Sequence, residues 1–258
     1  MSIASGQART ISSRQNSWVK TLRKAFANSG PLEDICAIES LHIIEEAARS
    51  GVHFRALFFT AQQSQAVEKI LSSIPRDCEA LLVSDEILNS TLATQTPQGI
   101  AALIEPPVWK LEQLLENPSP LFLCSAGLQD PGNLGTIVRS AEAFGATGLL
   151  CLPGTVNVWN AKSVRASAGS VFRLPSVKIS AESFELLKQH KVRLFGTAAE
   201  CGVSPAKANL RQPCAIFIGN EGAGLPKSLL PLMDEAITIP QKKRGIVERG
   251  GGGGDHLL

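Results

Sequence analysis

The sequence predicts an α/β fold in two parts, of which the second is built on a parallel sheet. After residue 120, short apolar runs alternate with stretches of helical length, which is the pattern of buried parallel strands joined by helical crossovers. Hydrophobic residues make up 44% of the chain and charged residues 19%. These proportions are typical of a folded protein rather than a disordered one.

A proline-rich stretch divides the chain. The adjacent residues Pro106 and Pro107 disfavour helix on their N-terminal side and mark a connection, and further prolines follow at 118 and 120. We therefore predict a small domain over 1–107, a linker over 108–120, a larger domain over 121–248 and a glycine-rich tail over 249–258.

The small domain is predicted as a mixture of helices and strands. Leu41, Ile44 and Ala48, for example, recur at the spacing of one helical face. In chain order we predict a basic helix over 17–27, a strand over 35–38, a helix over 41–49, a strand over 56–59, a helix over 64–71 and a strand over 80–83.

The larger domain is predicted as alternating strands and helices. Its first helix places Leu134, Val138 and Ala141 on one apolar face that would pack against the sheet. The predicted strands cover 121–124, 149–152, 192–197, 215–219 and 236–239, and the predicted helices cover 133–144, 161–168, 181–189 and 226–233.

The charge distribution points to a polyanionic partner. The net charge is only +2, but the first charged residues are all basic and precede any acidic one: Arg9, Arg14, Lys20, Arg23 and Lys24. A basic face on a nearly neutral protein favours binding to nucleic acid. The alternative is a solvated helix face with no partner.

Membrane and metal-binding classes are poorly supported. No apolar run approaches the roughly 18 residues of a membrane-spanning helix, and the polar N-terminal residues do not resemble a signal peptide. The cysteines and histidines lack metal-ligand spacing, so we expect no metal site. Cys124, Cys151 and Cys214 lie in apolar runs, where a reduced thiol acts as a small hydrophobe, and a reducing cytoplasm is the expected location.

The first segment that carries chemistry covers residues 130–145, after the strand predicted at 121–124. Asp130 and Asn133 are good helix caps, and a helix start offers free N–H groups to an anion. Arg139 lies on the polar side of the predicted helix, within its first two turns. We interpret this as a site for an anion or a developing oxyanion. A capped surface helix with an ordinary arginine is the alternative.

The second segment covers residues 217–226 and follows the strand predicted at 215–219. It is not a phosphate-binding Walker loop, because Leu225 and Pro226 stand where that motif needs lysine and serine or threonine. Glu221 would also repel phosphate, which disfavours a phosphate- or nucleotide-binding α/β enzyme. Three glycines let the backbone approach a ligand closely. A tight loop with no ligand is the alternative.

Together the two segments resemble the first two motifs of the SpoU (TrmH-like) RNA 2′-O-ribose methyltransferases of the SPOUT superfamily. The matching residues are Asn133-x-Gly135-x-x-x-Arg139 and Gly219-Asn220-Glu221-Gly222-x-Gly224. Residues 164–175 and 195–198 are also similar to the family. In the N-terminal part the similar segments are 11–20 and 96–100, so the resemblance covers about residues 9–248.

The resemblance implies a trefoil-knotted parallel-sheet methyltransferase domain with a small α/β, ribosomal-protein-like substrate-binding domain before it. It implies S-adenosylmethionine as the cofactor, transfer of its methyl group to a ribose 2′-hydroxyl of structured RNA, and a homodimer. Ribosomal RNA is favoured over transfer RNA, because the substrate-binding domain is ribosomal-protein-like.

Site residues also follow from the resemblance. It makes Arg139 and Asn133 the catalytic residues. The donor-binding residues are Gly196, Thr197, Gly219, Glu221, Gly222 and Ile239. The RNA-binding residues are predicted mainly from the basic run, and they are Arg14, Asn16, Lys20, Arg23, Lys24 and Arg165. Because arginine is normally protonated at any accessible pH, we favour a role for Arg139 in stabilising the developing alkoxide. Phosphate or water would then take the proton.

The C-terminal sequence departs from the family pattern. The third family motif continues with Ser-Leu-Asn and an apolar helix that closes the knot, contacts the donor and packs the dimer. Here Arg249 is followed by five glycines, Gly250–Gly254, each of which disfavours helix by about 1 kcal/mol relative to alanine. We therefore expect a loosely attached tail, a weakened dimer and weak donor binding. A catalytically impaired RNA-binding protein that keeps the fold is the alternative function.

Replacing residues 249–258 by a family-type Ser-Leu-Asn segment and apolar helix should restore donor binding, because it supplies the missing wall of the pocket. We expect calorimetry to show S-adenosylmethionine affinity at least about tenfold higher, which corresponds to ~1.4 kcal/mol. A polar graft of equal length is the control. Equally tight binding by the unaltered chain would show that the third motif is dispensable.

Overall fold

The computed structural model describes residues 8–92, 94, 97–211 and 213–239. In the N-terminal part, five strands form a mixed sheet in the order β1-β4-β3-β5-β2, in which β5 is antiparallel to both of its neighbours. The elements are β1 (Arg9–Ile11), α1 (Ser17–Ala27), β2 (Cys36–Glu39), α2 (Leu41–Arg49), β3 (His53–Phe59), α3 (Ser64–Leu71), β4 (Glu79–Val83), α4 (Asp85–Asn89) and β5 (Ile100–Glu105).

Helix α1 shows how the sequence forms these elements. The side chain of Asn16 caps its start by accepting a hydrogen bond from the backbone N–H of Trp18 at 2.9 Å. Val19, Leu22 and Ala25 are buried against the sheet, so the basic residues between them face outward. Helices α1, α2 and α3 have the predicted bounds, and β2, β3 and β4 lie within three residues of their predicted positions.

Three elements of this part were not predicted, namely β1, α4 and β5. The strand β5 is an almost wholly apolar run that is buried between β2 and β3. No element was predicted for it, although it lies within the predicted small domain and directly before Pro106. The proline follows the strand rather than interrupting it, and a strand can end before a proline without losing a ladder hydrogen bond.

The C-terminal part is built on six strands in the order β11-β9-β10-β6-β7-β8, and all their pairings are parallel. The predicted parallel sheet is therefore confirmed. Its elements are α5 (Leu111–Leu115), β6 (Leu121–Ser125), α6 (Pro131–Ala143), β7 (Gly148–Cys151), α7 (Ala161–Ala166), β8 (Ser176–Lys178), α8 (Ala181–Gln189), β9 (Arg193–Thr197), β10 (Cys214–Ile218) and β11 (Glu235–Ile237).

The prediction of a helix over 226–233 was wrong. Turns and a single 3₁₀ turn at Leu230–Leu232 occupy this stretch, because Pro231 would lie inside the helix, where a proline removes a backbone donor and clashes with the preceding turn. The edge strand β8 was missed, and α7 ends two residues early because Ala168 and Gly169 have positive φ. The segment that would complete a trefoil knot lies outside the described residues, as does the glycine-rich tail, and the knot stays a prediction.

The two sheets are joined by one apolar cluster. It includes Ile38 and Ile44 from the N-terminal part and Leu134, Val138 and Val164 from helices α6 and α7. Ion pairs reinforce the junction, since Arg165 pairs with the buried carboxylate of Glu39, to which Thr94 also donates a hydrogen bond at 3.1 Å.

A second set of ion pairs crosses the same junction. Arg173 contacts Glu46 of α2, with an Nη1–Oε2 distance of 2.6 Å, and also pairs with Glu142 of α6. The hydrogen bond from Arg173 lowers the pKa of the Glu142 carboxyl. The N-terminal part is therefore held directly against the helix that carries the first motif.

Two further observations concern the cysteines and the possibility of a membrane-spanning helix. All six cysteines are free, and burial raises the pKa of the Cys36 and Cys151 thiols to about 12, so neither is available as a thiolate nucleophile. Among the described residues, no helix combines the length and apolar character needed to cross a bilayer.

Arg165→Ala should destabilise the protein by about 2–3 kcal/mol, because it leaves Glu39 buried without its partner. Arg165 is about one third exposed, so the effect should fall below the roughly 3–5 kcal/mol seen for fully buried pairs. Urea unfolding measures the change. In a Glu39→Gln background the same substitution should cost under about 1 kcal/mol, and an equal loss in both backgrounds would contradict the assignment.

Candidate active site

The candidate active site lies at the carboxyl ends of β6 and β10. These strands are parallel neighbours, with Ser125 opposite Ile218 at the end of the pairing. The N–H of Ala126 donates to the carbonyl of Ile218 at 2.8 Å, so the two loops leave the sheet side by side. Ligands of open α/β sheets bind outside this edge.

The loop after β6 turns directly into α6, and Asp130 fixes that turn. Its Oδ1 accepts a hydrogen bond from the N–H of Asn133 at 2.9 Å, and its Oδ2 lies 2.9 Å from Nζ of Lys162. Lys162 and then the N–H of Asn133 lower the pKa of the Asp130 carboxyl. The capping carboxylate therefore holds Asn133 in place on the first turn of α6.

The loop after β10 is shaped by Asn220. Its Oδ1 accepts hydrogen bonds from the N–H groups of Gly222 and Ala223 at 3.0 and 3.1 Å, and its Nδ2 donates to the carbonyl of Gly127 at 3.2 Å. A Cβ on Gly219 would stand 2.2 Å from the backbone of Gly224, which itself has a φ of +68°. These two glycines serve the closure of the loop.

One hydrogen bond joins the two motifs. The Nδ2 of Asn133 donates to Oε1 of Glu221 at 2.6 Å, although the residues are 88 positions apart in the sequence. Both side chains are exposed. The pair therefore faces solvent at the sheet edge, where a bound ligand would meet it.

The six residues predicted to bind the donor lie around the same edge. Gly196 and Thr197 end β9, and Thr197 Oγ1 donates to the carbonyl of Phe217 at 2.9 Å. A Cβ on Gly196 would stand 3.0 Å from Leu225 and from Met233. Ile239 follows β11 and is 66% exposed. Gly219, Glu221 and Gly222 belong to the loop after β10, so neighbouring strands supply the whole set.

Arg139 is not at the helix start, and its predicted placement within the first two turns was wrong. Helix α6 begins at Pro131 rather than Asn133, so Arg139 is its ninth residue and lies about 9 Å along the axis from Asn133 at ~1.5 Å per residue. The helix dipole is felt only in the first turn. The guanidinium is exposed and forms no ion pair with any residue of the described ranges.

The predicted RNA-binding residues divide into two groups. Lys20, Arg23 and Lys24 are exposed on one face of α1, at the spacing that makes helical residues neighbours. The other three have structural partners: Arg14 lies 2.7 Å from Glu86, Asn16 caps α1, and Arg165 pairs with Glu39 between the two sheets.

Two contributors to the site were not predicted. Lys162 acts through Asp130, and Asn220 shapes its loop. Asn220 lies inside the second motif, so the motif was the available signal for it. No periodicity marks Lys162, because an ion pair between α6 and the start of α7 depends on how the two helices pack.

Comparison with known proteins identifies the family. A model described as the SpoU rRNA Methylase family matches residues 120–245, and one described as the MRM3-like substrate binding domain matches residues 32–102. The 23S rRNA (guanosine(2553)-2′-O)-methyltransferase RlmP of Bacillus subtilis (strain 168) is 30% identical over 232 residues, which are 89% of this chain and 90% of that protein. The chain belongs to the SpoU rRNA methylase family.

Solved structures agree with this membership. This SpoU family member is similar to an AdoMet-bound rRNA methyltransferase from Sinorhizobium meliloti, with a TM-score of 0.80, 26% identity and coverage of 93% of this chain and 92% of that one. It is also similar to AviRb from Streptomyces viridochromogenes in complex with AdoMet, with a TM-score of 0.79, 25% identity and coverage of 90% and 91%. The predicted α/β fold with an N-terminal substrate-binding domain is confirmed.

Proposed function

We propose that this SpoU family member transfers a methyl group from S-adenosylmethionine to a ribose 2′-hydroxyl of ribosomal RNA. The observation that carries the proposal is the Asn133–Glu221 hydrogen bond, which joins the two motif loops at the carboxyl edge of the sheet. The relatives support the choice of RNA, since RlmP and a 23S rRNA (uridine(2479)-2′-O)-methyltransferase of Streptomyces viridochromogenes, 28% identical over 206 residues, both carry ribosomal RNA in their names.

The residues at this edge suit S-adenosylmethionine. A Cβ on Gly222 would meet only Asn220 Oδ1, at 3.6 Å, so the loop backbone is open to a ligand there. Ile239 offers an exposed apolar surface, and the carboxylate of Glu221 attracts positive charge. The donor, when bound, supplies a methyl group on a positively charged sulfur.

The chain's own residues then position the acceptor. Asn133 and Glu221 hold the two loops in register, and Arg139, which is exposed and unpaired within the described ranges, binds the RNA near the reacting ribose. With the donor in place, the guanidinium would stabilise the negative charge that develops on the 2′-oxygen during methyl transfer. The hydroxyl proton passes to phosphate or water.

The domain boundaries and the dimer belong to the same proposal. Residues 1–107 would bind RNA, 108–120 link the domains, and 121–248 carry the methyltransferase site. The two sheets lie on either side of that linker, which supports the division. The homodimer that the family resemblance implies, weakened by the altered C-terminus, is part of the proposal.

A non-catalytic RNA-binding protein is the second candidate, and the glycine-rich sequence after Arg249 favours it. Methyl transfer to ribosomal RNA transcribed in vitro, which carries no modification, separates the two functions. We expect radiolabelled methyl groups to appear on ribose in the presence of the chain, and more so with the grafted C-terminus. RNA binding with no transfer by either polypeptide would favour the non-catalytic protein.

Arg139→Ala should lower the rate of methyl transfer by on the order of 10²–10³, as for the loss of one group that stabilises an oxyanion. The exposed side chain should leave the unfolding temperature unchanged. Arg211→Ala is the matched control, because Arg211 is also exposed but precedes β10, at the opposite edge of the sheet. A rate like that of the unaltered chain would remove Arg139 from the mechanism.

Replacing Lys20, Arg23 and Lys24 together by glutamine should weaken RNA binding at low salt. If each contacts a phosphate, the slope of log affinity against log salt concentration should become shallower by about 2–3. Filter binding over a series of KCl concentrations measures this slope. Arg14→Gln should change it less, because Arg14 is already paired with Glu86. An unchanged slope in the triple variant would identify the basic face as merely solvated.

A further inference from the structure

A cavity opens beside the candidate active site, at the carboxyl ends of β7 and β8. Its volume is about 390 Å³. The loop after β7, from Leu152 to Trp159, forms most of its wall, Lys178 and Ile179 line the side next to β8, and Pro31 reaches it from the N-terminal part. The cavity therefore lies where the RNA-binding domain meets the methyltransferase domain.

The lining combines an aromatic surface with a positive charge. Trp159 is partly exposed, and its ring centroid lies 6.0 Å from that of Phe172, which supports the indole from within the core. Lys178 is exposed and forms no ion pair with a described residue. No acidic side chain is among the residues that line the cavity, so nothing in the wall repels an anionic ligand.

The cavity wall is connected to the motif loops through Gly127. The N–H of Gly127 donates to Thr155 Oγ1 in the cavity wall at 3.1 Å, and its carbonyl accepts the hydrogen bond from Asn220. Thr155 Oγ1 in turn donates to the carbonyl of Ser125, the last residue of β6, at 2.8 Å. A ligand in the cavity would therefore contact a loop that is hydrogen-bonded to the backbone of Ser125 and Gly127. Asn220, next to Glu221, is hydrogen-bonded to the same backbone.

We infer that this cavity binds an unpaired nucleobase of the RNA substrate, with the base against Trp159 and an adjoining phosphate at Lys178. The inference rests on the proposed function and names a subsite for its substrate. Proteins recognise RNA sequence mainly through unstacked bases that lie on aromatic side chains. A cavity at the small end of the usual range of roughly 300–1,000 Å³ suits a single ring system rather than a duplex or a peptide.

The donor is a poorer occupant of this cavity. The predicted donor residues lie at β9, β10 and β11, whereas the cavity lies at β7 and β8, and β6 separates the two groups in the strand order. Gly127, in the loop after β6, is hydrogen-bonded to Thr155 on the cavity side and to Asn220 on the donor side. The two subsites therefore occupy neighbouring halves of one sheet edge, as the transfer of a group between two ligands requires.

The test is the affinity of the full chain for 23S ribosomal RNA transcribed in vitro, measured by filter binding over a range of KCl concentrations. Trp159→Ala should raise the dissociation constant about 5- to 150-fold, the range seen when one base loses its aromatic partner, with an unchanged salt slope. Trp159→Phe should retain most of the affinity. Lys178→Ala should make the salt slope shallower by about 1, as for one lost phosphate contact.

Matched controls exclude general effects. Trp109→Ala removes a tryptophan outside the cavity, and Lys188→Ala removes an exposed lysine of α8; neither should alter the affinity. Because Trp159 contacts the core, thermal unfolding must show that its variants remain folded. Lys178→Ala carries the test if Trp159→Ala does not fold.

Unchanged RNA affinity and salt slope in the folded variants would overturn the inference. A loss of S-adenosylmethionine affinity with unchanged RNA affinity would also overturn it and would assign the cavity to the donor. A change in the association state alone would assign the cavity to a second copy of the chain. Methyl transfer is measured separately. An RNA-affinity loss in a chain that transfers no methyl group would overturn the proposed catalysis while supporting the base subsite.

Discussion

The parallel pairing of β6 with β10 is the constraint on which the candidate site depends. It brings together two chain segments that are far apart in sequence and makes them leave the sheet at the same level. Everything at the site follows from this start: Asp130 caps α6, Asn220 closes the glycine loop, and the Asn133 amide reaches Glu221. A shift of one residue in this register would turn every side chain of β10 to the opposite face and would separate the two motifs.

Close backbone approach is the second constraint, and it explains one glycine of the first motif and one of the family-like segment 164–175. A Cβ on Gly135 would stand 2.3 Å from the carbonyl of Ser163, so α6 and α7 approach more closely than any side chain would permit. A Cβ on Gly169 would stand 2.6 Å from Cβ of Glu46, across the junction between the two sheets. Residues that mark the family in sequence therefore include some that act through packing and not through contact with a ligand.

The features that could be predicted from the sequence are those that hydrophobic periodicity and sheet geometry determine. Five of the six strands of the parallel sheet were found because they are largely apolar runs, and the placement of both motifs at strand ends followed from the same pattern. Two predictions failed because prolines determine where a helix can form. Helix α6 begins at Pro131, which puts Arg139 in its third turn, and no helix forms over 226–233. The family motif gives the residues but not the point at which a helix begins. Arg165 was assigned to RNA from a family-like segment, whereas its pairing with Glu39 depends on how two domains dock.

Helix α6 is fastened along its length to different parts of the molecule. Its first turn is tied to α7 and to the glycine loop, and its last turn is tied through Glu142 and Arg173 to Glu46 in the N-terminal part. The helix therefore links the N-terminal part rigidly to the carboxyl edge of the parallel sheet, where the methyltransferase site is proposed. If α1 binds RNA as proposed, substitutions on its outer face would change the RNA target and leave these contacts of α6 intact, since none of them involves α1.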